Sequence, residues 1–110
     1  MMNYAVRHSP SWRMSLLTKE AYQKKVEREL SQLAAQIEIW QAKANLVSAE
    51  YRNECIQQLQ ALRAIYRIAQ TRLEELKMAG GESWENGRAR TDRVLSELRK
   101  AVLNASLRFQ

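Results

Sequence analysis

Apolar residues spaced four and three apart run from Val26 through Leu30, Leu33, Ile37, Trp40, Ala44, Val47 and Tyr51. They then resume, one residue out of step, at Cys55, Leu59, Leu62, Tyr66, Ala69, Leu73 and Leu76. That alternation returns side chains to one face of an α-helix. No Gly or Pro interrupts Thr18 to Met78, and Ala, Leu, Glu, Gln, Lys and Arg dominate the interval, so summed helix propensity is high. A lone helix leaves such a face in water, and packing must supply most of its stability. The seam therefore constrains the chain to an all-α class in which another helix covers this one.

Local signals set the boundaries. Thr18 is placed to cap a helix, Glu20 sits in its first turn where the dipole favours an acid, and Leu17 and Tyr22 are spaced as a hydrophobic staple. Helix one is expected over 18–78, about 90 Å long. Ala79, Gly80 and Gly81 break it, because paired glycines supply both a left-handed terminal residue and a hinge. Helix two is expected over 82–108, with Trp84, Val94, Leu95, Leu98, Ala101, Val102, Ala105 and Phe109 at helical spacing. Gly87 weakens its first turns by about 1 kcal/mol relative to Ala. Residues 1–17, with Ser9-Pro10-Ser11 and no sustained period, are expected as a flexible N-terminal extension, and 18–110 as the domain.

At about 40 Å, helix two reaches only the lower half of helix one. Leu59, Leu62, Tyr66, Leu73 and Leu76 are then expected to pack against Trp84, Leu95, Leu98 and Val102 in an elongated antiparallel hairpin. The one-residue slip turns the lower stripe roughly 100° from the upper, so the two halves are expected to meet different neighbours. The upper stripe, Val26, Leu30, Leu33, Ile37, Trp40, Ala44 and Val47, is expected to be bare in one chain and to close against a second. Twofold pairing into a dimer is the simplest closure, with a tetramer as the alternative. Off-seam apolar residues, Ile39, Leu46, Ile56, Ile65 and Ile68, widen the face beyond a two-stranded strip and point to a coiled-coil-like bundle of more than two helices.

The net charge of +6 and pI near 9.8 raise a nucleic-acid reading. The charge is spread along the chain: +3 over residues 1–19, +1 over 20–79 and +2 over 80–110. Arg52, Arg63 and Arg67 lie near one helix face and are the candidate phosphate contacts. Aromatic residues are not interleaved with them for base stacking. Helix two sets Arg88, Arg90, Arg93, Arg99, Lys100 and Arg108 against its apolar face, the pattern of a helix lying on an anionic membrane. The matching seam in the same chain favours intramolecular packing instead.

Chemistry finds little foothold. Cys55 is the single cysteine and His8 the single histidine, so neither a disulfide framework nor a converging metal-ligand set is in view. The carboxylates are spaced to pair with Lys or Arg on a wet helix face rather than to work as an acid and base pair. Ala79-Gly80-Gly81-Glu82 lacks the Lys-Ser/Thr of a phosphate-cradling loop. No catalytic, cofactor-binding or metal-ligating residue is expected. No apolar run approaches the roughly 20 residues of a membrane span, and no secretory signal is recognisable, so cytoplasmic residence is expected.

Lys19-Glu20-Ala21-Tyr22, Ala42-Lys43-Ala44, Glu50-Tyr51-Arg52, Leu73-Glu74-Glu75-Leu76-Lys77, Ala79-Gly80 and Trp84-Glu85 follow one another in order, with Glu97-Leu98, Ala101 and Phe109 after them. In these the chain resembles a group of small bacterial coiled-coil proteins of uncharacterised role, with apolipoprotein-like periodicity. The likeness covers most of Met14 to Phe109. It departs in helix two, at Ser83, Gly87, Arg90, Thr91 and Leu95, where the packing of that helix is put in question. The resemblance implies a helical protein and no enzyme, cofactor or catalytic residue. The sequence as a whole leads to a non-enzymatic scaffold or protein-protein interaction module that homo-oligomerises, with nucleic-acid binding and membrane-surface binding as the alternatives.

Overall fold

The computed structural model describes residues 11–108, with side chains from Thr18 to Arg108. It contains three helices: α1 over Ser11–Ala44, α2 over Ala49–Met78 and α3 over Glu82–Arg108. α2 runs antiparallel to both others, pairing Lys77 with Glu27 of α1 and Glu54 with Arg108 of α3. α3 returns alongside α1, where Arg99 meets Glu29. The result is an elongated up-down-up bundle of 70 × 25 × 16 Å.

The single helix expected over 18–78 is therefore two, and the two-helix hairpin gives way to a three-helix bundle. The break falls at residues 45–48, where neither Gly nor Pro stands. The turn satisfies its backbone groups without them. The Leu46 N–H donates to the Lys43 carbonyl at 2.9 Å, and the Asn45 N–H to that of Gln41 at 3.3 Å. Ser48 takes an extended conformation (φ −61°, ψ 154°) before the first turn of α2. Its carbonyl accepts from the Tyr51 and Arg52 N–H groups, each at 3.1 Å. The Arg52 guanidinium folds back onto the Val47 carbonyl at 3.2 Å. The slip in the heptad seam lies at this turn: it marks where the chain reverses.

Reversal brings the two halves of the seam face to face. Val26 and Leu30 join Ala69, Leu73, Val94, Leu95 and Leu98 in one core cluster, with Tyr22, Leu33, Ile65, Tyr66 and Val102 packed on it. Ile37, Trp40 and Ala44 join Leu59, Leu62 and Ala105 in a second, flanked by Cys55 and Ala101. The upper stripe is thus not bare within one chain. Val26, Leu30, Ile37, Trp40 and Ala44 are each at most 4% exposed, while Leu33 and Val47 are half-buried. At roughly 1.5–3 kcal/mol for each fully buried large apolar side chain, this intrachain closure removes the need for a second chain to cover them.

The second turn falls where the glycines place it, though its geometry differs from a left-handed end to α2. Ala79 is extended (φ −84°, ψ 150°) and its N–H returns to the Leu76 carbonyl. Gly81 carries the positive φ, +59°, and its carbonyl accepts from Trp84 and Glu85 to open α3. α3 starts at Glu82, where helix two is expected to start. Thr18 does not start a helix, because α1 begins at Ser11. Residues 1–10 of the expected extension, the side chain of Leu17 in the expected staple, and Phe109 lie outside the described residues.

Gly87 has a packing role that periodicity does not reveal. A Cβ there would sit 3.1 Å from Leu76 Cδ1, so its absence lets α3 approach α2 closely. One turn on, the buried Thr91 donates its hydroxyl to the Gly87 carbonyl at 2.8 Å.

Candidate interaction surface

The bundle's two ends differ in character. Eight large apolar side chains are prominently exposed among the described residues: Ile39, Leu46, Tyr51, Ile56, Ile68, Met78, Leu103 and Leu107. All but Ile68 and Met78 fall within about two turns of the three helix termini that meet at residues 45–48. Leu46 is 86% exposed and Tyr51 58%. Beside them a depression of about 500 Å³ is lined by Val47, Tyr51, Glu54, Cys55, Gln58 and Arg108. The Arg108 guanidinium crosses its rim to Glu54 at 2.8 Å. Apolar residues concentrated in this way mark association surfaces. Leu103 and Leu107 stand outside the apolar stripe that the spacing of helix two defines, and that displacement was their one signal in the sequence.

The residues expected to pack helix two on the lower seam divide between the two core clusters, Leu73, Leu95 and Leu98 in one and Leu59 and Leu62 in the other. Leu59, Leu62, Leu73, Leu76, Trp84, Leu95 and Leu98 are buried, and Tyr66 and Val102 pack against both core clusters. The apolar face of helix two is thus occupied by the bundle. Of the three arginines expected to contact phosphates, Arg63 bridges to Glu38 and Gln41 of α1 and Arg52 holds the Val47 carbonyl. Arg67 has no ion-pair partner among the described residues. A different basic grouping is assembled between α2 and α3, where Arg72, Arg90 and Arg93 surround Ile68, Val94 and Glu97.

The opposite end of the molecule is fastened by polar and aromatic contacts. Trp84 is buried at the start of α3 with Tyr22 of α1 edge-on to it, ring centroids 6.0 Å apart. Arg88 lies over both rings and Lys19 over that of Trp84. The Tyr22 hydroxyl donates to Asp92. Burial first, and then this bond, push its pKa well above the ordinary value. The Trp84 Nε1 group is buried with no acceptor, a cost of about 1–3 kcal/mol that the ring's packing must exceed.

Among the described residues no three of His, Cys, Asp and Glu converge to hold a metal ion, and no helix is long and apolar enough to cross a membrane. A groove of about 830 Å³ is an open furrow between α1 and α2, lined by Leu30, Tyr66 and Leu73 with Glu27, Arg67, Glu74 and Lys77. Within it Glu27 and Glu74 both pair with the Lys77 ammonium, at 3.0 and 3.4 Å. The chain matches no protein-family model, no curated protein and no solved structure.

Proposed function

We propose that this chain is a non-enzymatic helical interaction module that associates with copies of itself through the end of the bundle around residues 45–48. The supporting observation is the collection of Ile39, Leu46, Tyr51, Ile56, Leu103 and Leu107 at that end. The reading agrees with the resemblance to small bacterial coiled-coil proteins, for which no catalytic residue is implied. It relocates the self-association expected of Val26, Leu30, Leu33, Ile37, Trp40, Ala44 and Val47, since all but Leu33 and Val47 are buried inside one chain. Sedimentation equilibrium across the micromolar to millimolar range is expected to show a concentration-dependent dimer, weakened by Tyr51→Glu. A monomer mass throughout contradicts the proposal.

A second reading, nucleic-acid binding, is favoured by one observation: Arg90 and Arg93 have no ion-pair partner among the described residues and share a groove with Arg72. It requires retention of DNA or RNA that weakens as salt rises and is lost in Arg90→Gln/Arg93→Gln. Binding to anionic vesicles through helix two would require its buried face to leave the core, so co-flotation of the folded chain is not expected.

A further inference from the structure

We propose that two copies of this chain associate by exchanging α1. The turn at residues 45–48 opens, α1 and α2 of each chain fuse into one continuous helix, and the two long helices pack antiparallel about a twofold axis beside Tyr51. This rests on the reading of the chain as a self-associating module and specifies the exchange that makes the association.

The turn contains nothing that a helix refuses. Asn45, Leu46, Val47 and Ser48 include no Pro, none has a positive φ, and the Ser48 side chain makes no capping bond. Straightening it therefore breaks few interactions and adds helical ones.

The seam also reads through the turn. Leu30, Ile37 and Ala44 are seven residues apart, Cys55 follows after eleven, and Leu62, Ala69 and Leu76 continue in sevens. Eleven residues make three almost whole turns. On a continuous helix all seven side chains stay within about 80° of one another. The slip that marks the turn is equally a step that an unbroken helix absorbs.

The pairing is self-complementary as well. The α1–α2 contacts Glu27 with Lys77, Glu38 with Arg63 and Gln41 with Arg63 have midpoints at residues 52, 50.5 and 52. A twofold axis at this point lets α1 of one chain make the same contacts with α2 of its copy. α3 stays tethered to its own α2 through Gly80 and Gly81, and its contacts from Arg99 to Glu29 and from Asp92 to Tyr22 pass to the exchanged α1. The core is thus conserved in kind.

New burial is confined to the hinge. Val47, Tyr51 and Cys55 lie four residues apart, on one face of a continuous helix. The axis would bring this face against its own copy, covering a tyrosine that is 58% exposed in the single chain.

The test uses the full chain in three forms. In the first, Glu38→Cys/Arg63→Cys with Cys55→Ser, the dimer is isolated by gel filtration and treated with a short bis-maleimide. Exchange predicts covalent dimers on a denaturing gel, because residues 38 and 63 then meet across chains. Cross-links within single chains overturn exchange while leaving self-association standing. In the second, Asn45→Ala/Ser48→Ala raises the helix propensity of the hinge and is expected to increase the association constant more than about tenfold. In the third, Ala49→Pro sets proline at the first position of α2, which a separate helix accepts and a continuous one does not. It is expected to keep wild-type helicity and lose the dimer. Dimerisation of Ala49→Pro at the wild-type level overturns the exchange. Monomers alone in the wild type and in the alanine variant, after refolding at millimolar concentration, overturn both the exchange and the self-association on which it rests.

Discussion

Replacing Gly87 with Ala sets two effects of known sign against each other. A glycine inside a helix costs about 1 kcal/mol relative to alanine, so sequence alone predicts that Gly87→Ala stabilises the protein. The structure predicts otherwise. The added methyl would stand 3.1 Å from Leu76 Cδ1, and Leu76 is wholly buried at the end of α2, so it gives way only by moving its neighbours. Overpacking of this kind costs about 1–3 kcal/mol. The balance lies between no change and a loss of about 2 kcal/mol, with each kcal/mol lowering the melting midpoint by roughly 4–8 °C. Gly80→Ala is the control: no atom lies within 4 Å of its added methyl and its φ is not left-handed. A gain of about 0.4–1 kcal/mol is expected there from the unfolded state. Urea titration followed by circular dichroism at the helical band measures both. If Gly87→Ala gains as much stability as Gly80→Ala, the close approach of α3 to α2 is refuted.

Trp84→Phe deletes the buried Nε1–H that lacks an acceptor and is expected to leave stability within about 1 kcal/mol of wild type, whereas Trp84→Ala is expected to cost about 3–5 kcal/mol. Equal losses in thermal melts would show that the indole nitrogen has a partner. Tyr22 is raised in pKa by burial and by its bond to Asp92. Its contribution is therefore whole below the unfolded value near 10 and is lost as pH rises past it toward the folded value. Stability measured by urea titration is expected to fall less steeply above pH 10 in Tyr22→Phe than in wild type, and identical slopes would exclude Tyr22 as a source of that fall. Ile37→Glu puts a carboxylate into a site that is 2% exposed within one chain. It is expected to abolish helicity in dilute solution, and a well-folded monomer would indicate that Ile37 faces a second chain instead.

Helical content, the break at Gly80 and Gly81, and a further helix from Glu82 onward were legible because each has a local cause: propensity, a positive φ that glycine accepts, and a 3.6-residue period. The reversal at 45–48 was less legible because it has no breaker residue. Its backbone is satisfied by bonds such as Leu46 N–H to the Lys43 carbonyl, and Ser48 contributes no side-chain cap. The sign of the turn was the slip from Ala44 to Leu59, which fits both a rotated stripe and a reversal. Periodicity does not choose between them, because Trp40 is equally apolar whether it faces Leu59 of its own chain or of another. That ambiguity bears directly on the seam: Val26, Leu30, Ile37, Trp40 and Ala44 are buried within one chain, whereas the prominently exposed residues include the off-seam Ile39, Leu46, Leu103 and Leu107 together with Tyr51. For the same reason, Glu29 and Glu27, on the wet side of an isolated helix, find Arg99 and Lys77 on neighbouring helices. At such exposed positions these pairs add little to stability, because water and salt screen them.

That the seam closes on itself within one chain is most directly tested by an intrachain distance. Spin labels at Ser31→Cys and Gln70→Cys, in a Cys55→Ser background, sit on two helices that line the same groove. In the monomer fraction, diluted with unlabelled chain, pulsed electron paramagnetic resonance should report roughly 20 Å, as for helices packed about 8–10 Å apart. A separation near 58 Å, the length of about 39 residues of unbroken helix, would contradict the fold.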